Sequence, residues 1–455
     1  MVELFIALSL LVGAGHLLRT LIKPLQWLYI PSAVIGGVLG LAVVQVAQAT
    51  GNPLPAEWIA TAGKLPGFLI NVVFACLFLG VTLPGLRTIW RRSAPQLAYG
   101  QTVAWGQYVV GVGLVVLLLG PIFGLPNMFG GILPVGFEGG HGTAGGLQDT
   151  FRQLEWEEGG SFALTSATFG VCSAIVFGMV LINWAVRRGY TARKVAPGAS
   201  PEDDVVGIIP VGSRPSAGRL TVRSDAIESL TLHVAIVGLA VLIGYLIKLG
   251  LVGLAGLLAA EDSAVHTLLR SIPLFPLCMV GGLVVQLLEQ KFDKHKIIDL
   301  GLTRRIQNTS LDFLVVAAIA VIRLNVVLES WIPFMILMVA GVAWNIFCVT
   351  VLARRMLPGA WFERSIAEMG QSMGVTATGL LLLRAVDPDY ETDAADAFAY
   401  KQILHEPFMG GGLWTSFAIP LLAIWGGWQV LLVSVGAVAF WLVFSLVLKR
   451  LRAGA

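Results

Sequence analysis

Along the chain, long apolar runs alternate with short polar joints. About 20 mostly apolar residues suffice to cross the hydrocarbon core of a bilayer as a helix. By that measure the first half predicts helices over 3–20, 28–48, 66–85, 97–120 and 161–186. The second half predicts 229–255, 271–290, 309–327, 330–353 and 403–425, and one more helix follows over 428–448. The expected fold class is therefore an all-α polytopic membrane protein with about eleven spans.

Two glycine-rich, polar interruptions stand at matching places in the two halves. The first runs from Phe137 and Glu138 through Gly139, Gly140, His141, Gly142 and Thr143 to Gly146. The second runs from Gly370 through Ser372, Gly374 and Thr376 to Thr378 and Gly379. Non-helical backbone inside lipid leaves N–H and C=O groups unpaired, so it persists only where protein or water covers it. A matched pair of such breaks points to the binding site of a transporter. Both segments, near 128–150 and near 364–386, are expected to be re-entrant hairpins.

Short motifs recur with the breaks. Pro31 followed by Gly36-Gly37 returns as Pro276 followed by Gly281-Gly282, and Val103-Ala104-Trp105 returns as Val342-Ala343-Trp344. Each unit holds five helices, an odd number, so a second copy enters the membrane with opposite polarity. The expected organisation is a first inverted repeat over 1–186, a flexible cytoplasmic linker over 187–228, and a second repeat over 229–427. An extra C-terminal helix with a basic tail occupies 428–455. The linker reading rests on Pro197, Pro201, Pro210 and Pro215 standing among charges and small residues.

Composition agrees with the membrane class. Hydrophobic residues make up 56% of the chain and charged residues 13%, against roughly 25% charged in a soluble domain. The net charge of +3 is small and its lysines and arginines sit in short loops, so no nucleic-acid partner is expected. Cys76, Cys172, Cys278 and Cys348 all lie in apolar runs without a CxxC pair, which argues against a zinc site or a disulfide framework. The first segment lacks a small-residue cleavage site and is expected to be a retained helix.

Basic residues set the orientation. Arg19, Lys23, Arg87, Arg91, Arg92, Arg187, Arg188, Arg193, Lys194, Lys291, Lys294, Lys296, Arg304, Arg305, Arg354, Arg355 and Lys449 fall in joints of one parity. Glu57, Asp149, Glu155, Glu157, Glu158, Glu261, Asp262 and Glu329 fall in the other. The expected topology is N-terminus outside and C-terminus cytoplasmic, in the plasma membrane.

The two breaks carry the candidate chemistry. Glycines let N–H groups face a ligand, and half-helices ending there would aim positive dipole ends at a carboxylate. Gly139, Gly140, His141, Gly142, Thr143, Ser372, Gly374, Thr376 and Thr378 are the expected substrate contacts. Oxygen ligands suit a hard cation, and the candidates are Glu138, Ser166, Thr168, Asn308, Ser310 and Asp312. His141 could bind substrate, take a coupling proton, or serve structurally. Asp312 could ligate Na⁺ or cap its helix. His16 and His233 are expected in the core, and His405 at an interface. An enzyme is not expected, because no H-E-x-x-H occurs. A channel is disfavoured by the lack of a continuous polar stripe.

These residues resemble the bacterial sodium/glutamate symporter family. Gly139-Gly140-His141-Gly142-Thr143 is similar to its GGHGT loop, and Ala167-Thr168-Phe169-Gly170 to its ATFG helix. Gly374-Val375-Thr376-Ala377-Thr378 is similar to its GATPT loop. Ile30-Pro31 with Gly36-Gly37 resembles its IP…GG helix, and Asn308 with Ser310-Leu311 its NVSL segment. The resemblance implies a Na⁺-coupled carrier of glutamate or a similar small anionic amino acid, with no organic cofactor, forming a homodimer and moving like an elevator. H⁺ coupling through His141 or Glu138 stays open. The chain departs from the family where Glu138 replaces its usual serine, Ala377 replaces its proline, and the eleventh helix is extra. An added carboxylate beside an anion site repels glutamate unless protonated or paired, so another organic acid or a zwitterionic solute is the alternative substrate.

Overall fold

The fold comes from a computed structural model, which describes the chain apart from residues 1, 28–29, 82–85, 192–207, 210, 259–265, 267–268, 270–271, 388–390 and 454–455. Among the described residues the regular elements are helices, with no strand. Eight of these helices are long and apolar enough to cross a membrane. Helices satisfy every backbone group internally, which a lone strand in lipid cannot do.

In chain order the principal helices are α1 (Val2–Leu21), α2 (Ser32–Ala49), α3 (Ala56–Ala75) and α4 (Leu86–Leu114). Then come the short α5 (Ile132–Phe137) and α6 (Gly140–Gly146), and the long α7 (Glu158–Arg188). The second half holds α8 (Ser229–Leu258), α9 (Phe275–Phe292), α10 (Leu300–Ala320) and α11 (Trp331–Phe347). It continues with α12 (Trp361–Ser372), α13 (Thr376–Val386), α14 (Ala394–His405), α15 (Leu413–Ile424) and α16 (Gly427–Ala453). Both α4 and α11 run on through one wide π-helical turn, at Val115–Leu119 and Cys348–Leu352.

Local chemistry sets the ends. Pro31 and Pro55 stand just before α2 and α3, where a missing N–H costs no helical hydrogen bond. Asp299 caps α10, its side chain accepting from the Leu302 N–H at 2.9 Å. Gly189, in the left-handed region at φ +66°, ends α7.

Three expected spans change. The helix expected over 66–85 is α3, because Pro55 starts the helix and Pro66 is carried inside it. The helix expected over 309–327 begins at Leu300, so Asp312 lies in mid-helix and is no cap; Asp299 has that role. The continuous span expected over 403–425 is broken: α14 ends at His405 and α15 starts at Leu413. Pro407 followed by Gly410, Gly411 and Gly412 separates them. Pro197, Pro201, Pro210, Arg193 and Lys194 of the expected linker, and the loop acids Glu261 and Asp262, fall outside the described residues. The end of that linker is tied down, since the Arg219 N–H donates to Asp299 Oδ1 at 3.2 Å and the Thr221 N–H to Ser229 Oγ at 3.2 Å.

Glycine pairs fix the close crossings. A Cβ on Gly36 would meet the Leu11 carbonyl of α1, and one on Gly37 would stand 2.7 Å from Ile319 of α10. Correspondingly, Gly281 meets the Ala240 carbonyl of α8, and Gly282 that of Ala75 in α3. Small residues let membrane helices approach this closely, where packing replaces hydrophobic drive. The faces left outward on α1, α8 and α16 are apolar, with Phe5, Leu10, Leu246, Leu249, Leu432 and Phe440 exposed. Such faces suit lipid tails.

At the end of α11, Arg354 lies in an aromatic cage. Its guanidinium stands 4.0 Å from the Tyr190 ring centre, 4.8 Å from Trp361 and 5.6 Å from Trp184. Cation–π attraction there joins the end of α7 to the start of α12.

Candidate functional site

Each glycine-rich segment is mostly helical, with a short break. The first breaks at Glu138-Gly139, between α5 and α6; the second at Met373-Gly374-Val375, between α12 and α13. The expectation of an open run over Gly139–Gly146 is thereby corrected, since most of its N–H groups belong to α6. The limbs of the second segment touch backbone to backbone, and a Cβ on Gly370 would stand 2.7 Å from the Gly379 Cα.

The two breaks meet. Gly140 has φ +67°, and a Cβ there would stand 3.1 Å from the Gly374 carbonyl oxygen. Beside this contact lies a cavity of about 520 Å³. The first break supplies Glu138, Gly139 and Gly142 to its wall, and the second supplies Gln371, Gly374, Val375, Thr376 and Ala377. The lining also draws Ile70 and Phe74 from α3, Phe78 from just beyond it, and Arg304, Gln307, Asn308 and Leu311 from α10. Gln402 and Glu406 close it beside the third break.

A polar network backs the cavity. Glu138 Oε1 accepts from Gln371 Nε2 at 2.9 Å and from His405 Nε2 at 2.6 Å. The Trp105 indole donates to Gln101 Oε1 at 3.1 Å, which turns the Gln101 amide nitrogen toward His405 Nδ1 at 3.3 Å. Nδ1 therefore accepts, and the neutral imidazole keeps its proton on Nε2. Lys401 pairs with Glu368 at 2.6 Å and donates to Gln371 Oε1 at 3.1 Å and Gln402 Oε1 at 2.8 Å. Gln402 Nε2 donates to Thr376 Oγ1 at 2.5 Å, and that hydroxyl donates to Glu406 Oε1 at 2.7 Å. Lys401, Glu368 and His405 are fully buried.

The expected site residues separate into groups. Glu138, Gly139, Gly142, Gly374, Thr376 and Asn308 line the cavity. Gly140 joins the two breaks, and Thr378 is buried with its side chain against Gly374. His141 is buried and its Nε2 lies 2.9 Å from Thr168 Oγ1, which ties both side chains to α7 and away from the cavity lining. Thr143 is buried against Gly411, and Ser166 against Gly136. Ser372 gives its carbonyl to Gln107 Nε2 at 2.6 Å. Ser310 is half-buried and Asp312 exposed on α10, neither lining the cavity.

Other histidines also move from their expected places. His405 is a buried partner of Glu138, not an interfacial residue, and His16 is exposed. His233 is a core residue as expected, with Nδ1 2.7 Å from the Ser229 carbonyl and Nε2 accepting from the Asp299 N–H at 2.7 Å.

The geometry of His141 sets a prediction. Its truncation removes a buried hydrogen bond and leaves a hole, so His141→Ala is expected to cost about 1–3 kcal/mol of stability. The solute affinity of the folded protein should hold. Denaturant unfolding beside ligand titration checks this, and lost affinity at full stability would return the ring to the binding surface.

Sequence reasoning passed over Gln371, Lys401, Gln402, His405 and Glu406. The signal for most of them was present in the triple glycine at 410–412 and in a lysine within an apolar context, Lys401.

A family model described as sodium/glutamate symporter matches residues 1–392. The chain belongs to the sodium/glutamate symporter family. It is a multi-pass membrane protein of a transporter family, not of an enzyme family, and at the family level that description denotes sodium-coupled glutamate transport. The match contains both glycine breaks and ends before Lys401, His405 and Glu406. No curated protein matches the chain.

Proposed function

We propose that this protein is a Na⁺-coupled symporter of L-glutamate or a similar small anionic amino acid, working by alternating access. The observation that carries the reading is the shared wall: breaks from both halves of the chain line one amino-acid-sized cavity. Transporters bind solute where interrupted helices from two repeats converge. The N-terminus of α13 is aimed there, with Val375, Thr376 and Ala377 on the wall and no side chain capping it. Its free N–H groups and positive dipole end suit a carboxylate. Arg304 adds a positive charge to the cavity lining.

The halves are read as inverted repeats, with the breaks as re-entrant hairpins entering from opposite membrane faces. Support comes from the paired glycine crossings at Gly36-Gly37 and Gly281-Gly282, and from the π-turns in α4 and α11. Asn308 and Asp312, one helical turn apart on α10, are the proposed Na⁺ ligands, by the oxygen preference of hard cations. The N-terminus lies outside and the C-terminus in the cytoplasm, the protein acts as a homodimer, and the solute domain moves as an elevator. No organic cofactor takes part.

Labelled L-glutamate uptake into liposomes containing the purified protein tests this. An inward Na⁺ gradient is expected to drive accumulation, and absence of gradient-driven uptake of any small anion would sink the proposal. A second reading, carriage of another organic acid or of a zwitterion, is favoured by the two carboxylates, Glu138 and Glu406, on the wall. Competition against labelled glutamate separates the two.

A further inference from the structure

The Glu138 carboxylate is bound on one oxygen only. Oε1 takes the amide of Gln371 and the imidazole of His405. Oε2 is buried and has no hydrogen-bond partner among the described residues, although Glu138 lines the cavity. The surrounding charges do not balance. Lys401 is engaged by Glu368 at 2.6 Å, and His405 is neutral by its hydrogen bonds. Two carboxylates against one ammonium leave the cluster with one negative charge, held out of water. A buried charge without a partner is strongly disfavoured. Glu406 adds a second carboxylate to the cavity lining, bonded among the described residues through Oε1, by Thr376.

We infer that Glu138 Oε2 is the recognition point for an ammonium group on the transported solute. This rests on the carrier reading above and narrows its substrate class to solutes bearing a primary ammonium beside a carboxylate. The two ends of such a molecule match two features of one cavity. Its carboxylate meets the uncapped start of α13, and its ammonium meets Glu138, with Glu406 as a second acceptor. An ammonium carries three donors and no acceptor, so it fits a wall of free carboxylate oxygens and offsets the negative charge there. His405 and Gln371 are positioning residues. They fill Oε1 and so direct Oε2 at the solute. The size of the cavity accommodates an amino acid, whereas a bare ion would leave most of it unfilled.

Binding to the purified full-length protein tests the inference with amino acids paired against their deaminated counterparts. The pairs are L-glutamate with glutarate and L-alanine with propionate, followed by calorimetry. A charge-assisted hydrogen bond is worth enough to give the amino partner an advantage of about 10- to 100-fold. Glu138→Gln should erase that advantage, while Glu138→Asp, which keeps the charge, should retain part of it. Preference for L-alanine over propionate without any binding of L-glutamate would uphold Glu138 as the ammonium site and reject the glutamate reading alone. Equal affinity within each pair in the wild-type protein overturns the inference, whether or not the variants fold. So does an unchanged preference in Glu138→Gln, or failure of every compound to bind.

Discussion

Replacing Lys401 by methionine is expected to cost about 3–5 kcal/mol of stability, the toll of stranding one member of a buried ion pair. Lys401 and Glu368 are both fully buried and lie 2.6 Å apart. The ammonium also donates to Gln371 and Gln402, so its removal frees three buried acceptors at once. Among the described residues Glu368 then retains only Gln96 Nε2, at 2.9 Å, as a donor. Adding Glu368→Gln to the lysine variant removes the stranded charge, and the double variant should recover much of the loss. Denaturant unfolding of the four proteins of this cycle measures the coupling. If Lys401→Met alone unfolds like the wild type, the pair contributes nothing to the fold.

Thr376→Val is expected to lower uptake by about 10- to 100-fold, from the loss of two part-buried hydrogen bonds, one of them to a carboxylate, worth about 1–3 kcal/mol each. The hydroxyl accepts from Gln402 and donates to Glu406, and it sits on the first turn of α13 beside the proposed carboxylate position. Valine matches its shape and supplies neither bond. Thr376→Ser keeps both and should restore most of the rate. Comparing initial uptake rates of the three proteins at equal surface expression decides the matter. A valine variant with wild-type rates would remove this hydroxyl from transport.

What was legible in the sequence follows from the physics of lipid. Apolar runs near α1, α2, α7, α8 and α16 were readable because nothing polar competes with hydropathy there. The glycine breaks were readable as well, since five glycines within Gly139–Gly146 have few other uses in a membrane. The start of α3 was misplaced because Pro66 looked like a boundary, whereas a membrane helix can carry proline when neighbours cover the freed carbonyl. The third break was hidden because Phe408, Met409, Leu413 and Trp414 keep the hydropathy high on both sides of Gly410–Gly412. The partners of Glu138 were not readable at all. Gln371 and His405 stand 233 and 267 positions away from it, and no local pattern marks such a meeting.

The interruption at Pro407–Gly412 has no counterpart in α7, which runs unbroken from Glu158 to Arg188. Were the halves interchangeable, the outward-open and inward-open forms would be isoenergetic mirror images. On the inverted-repeat, alternating-access reading proposed above, a kink on one side only lifts that degeneracy and gives the empty carrier a resting bias toward one face of the membrane.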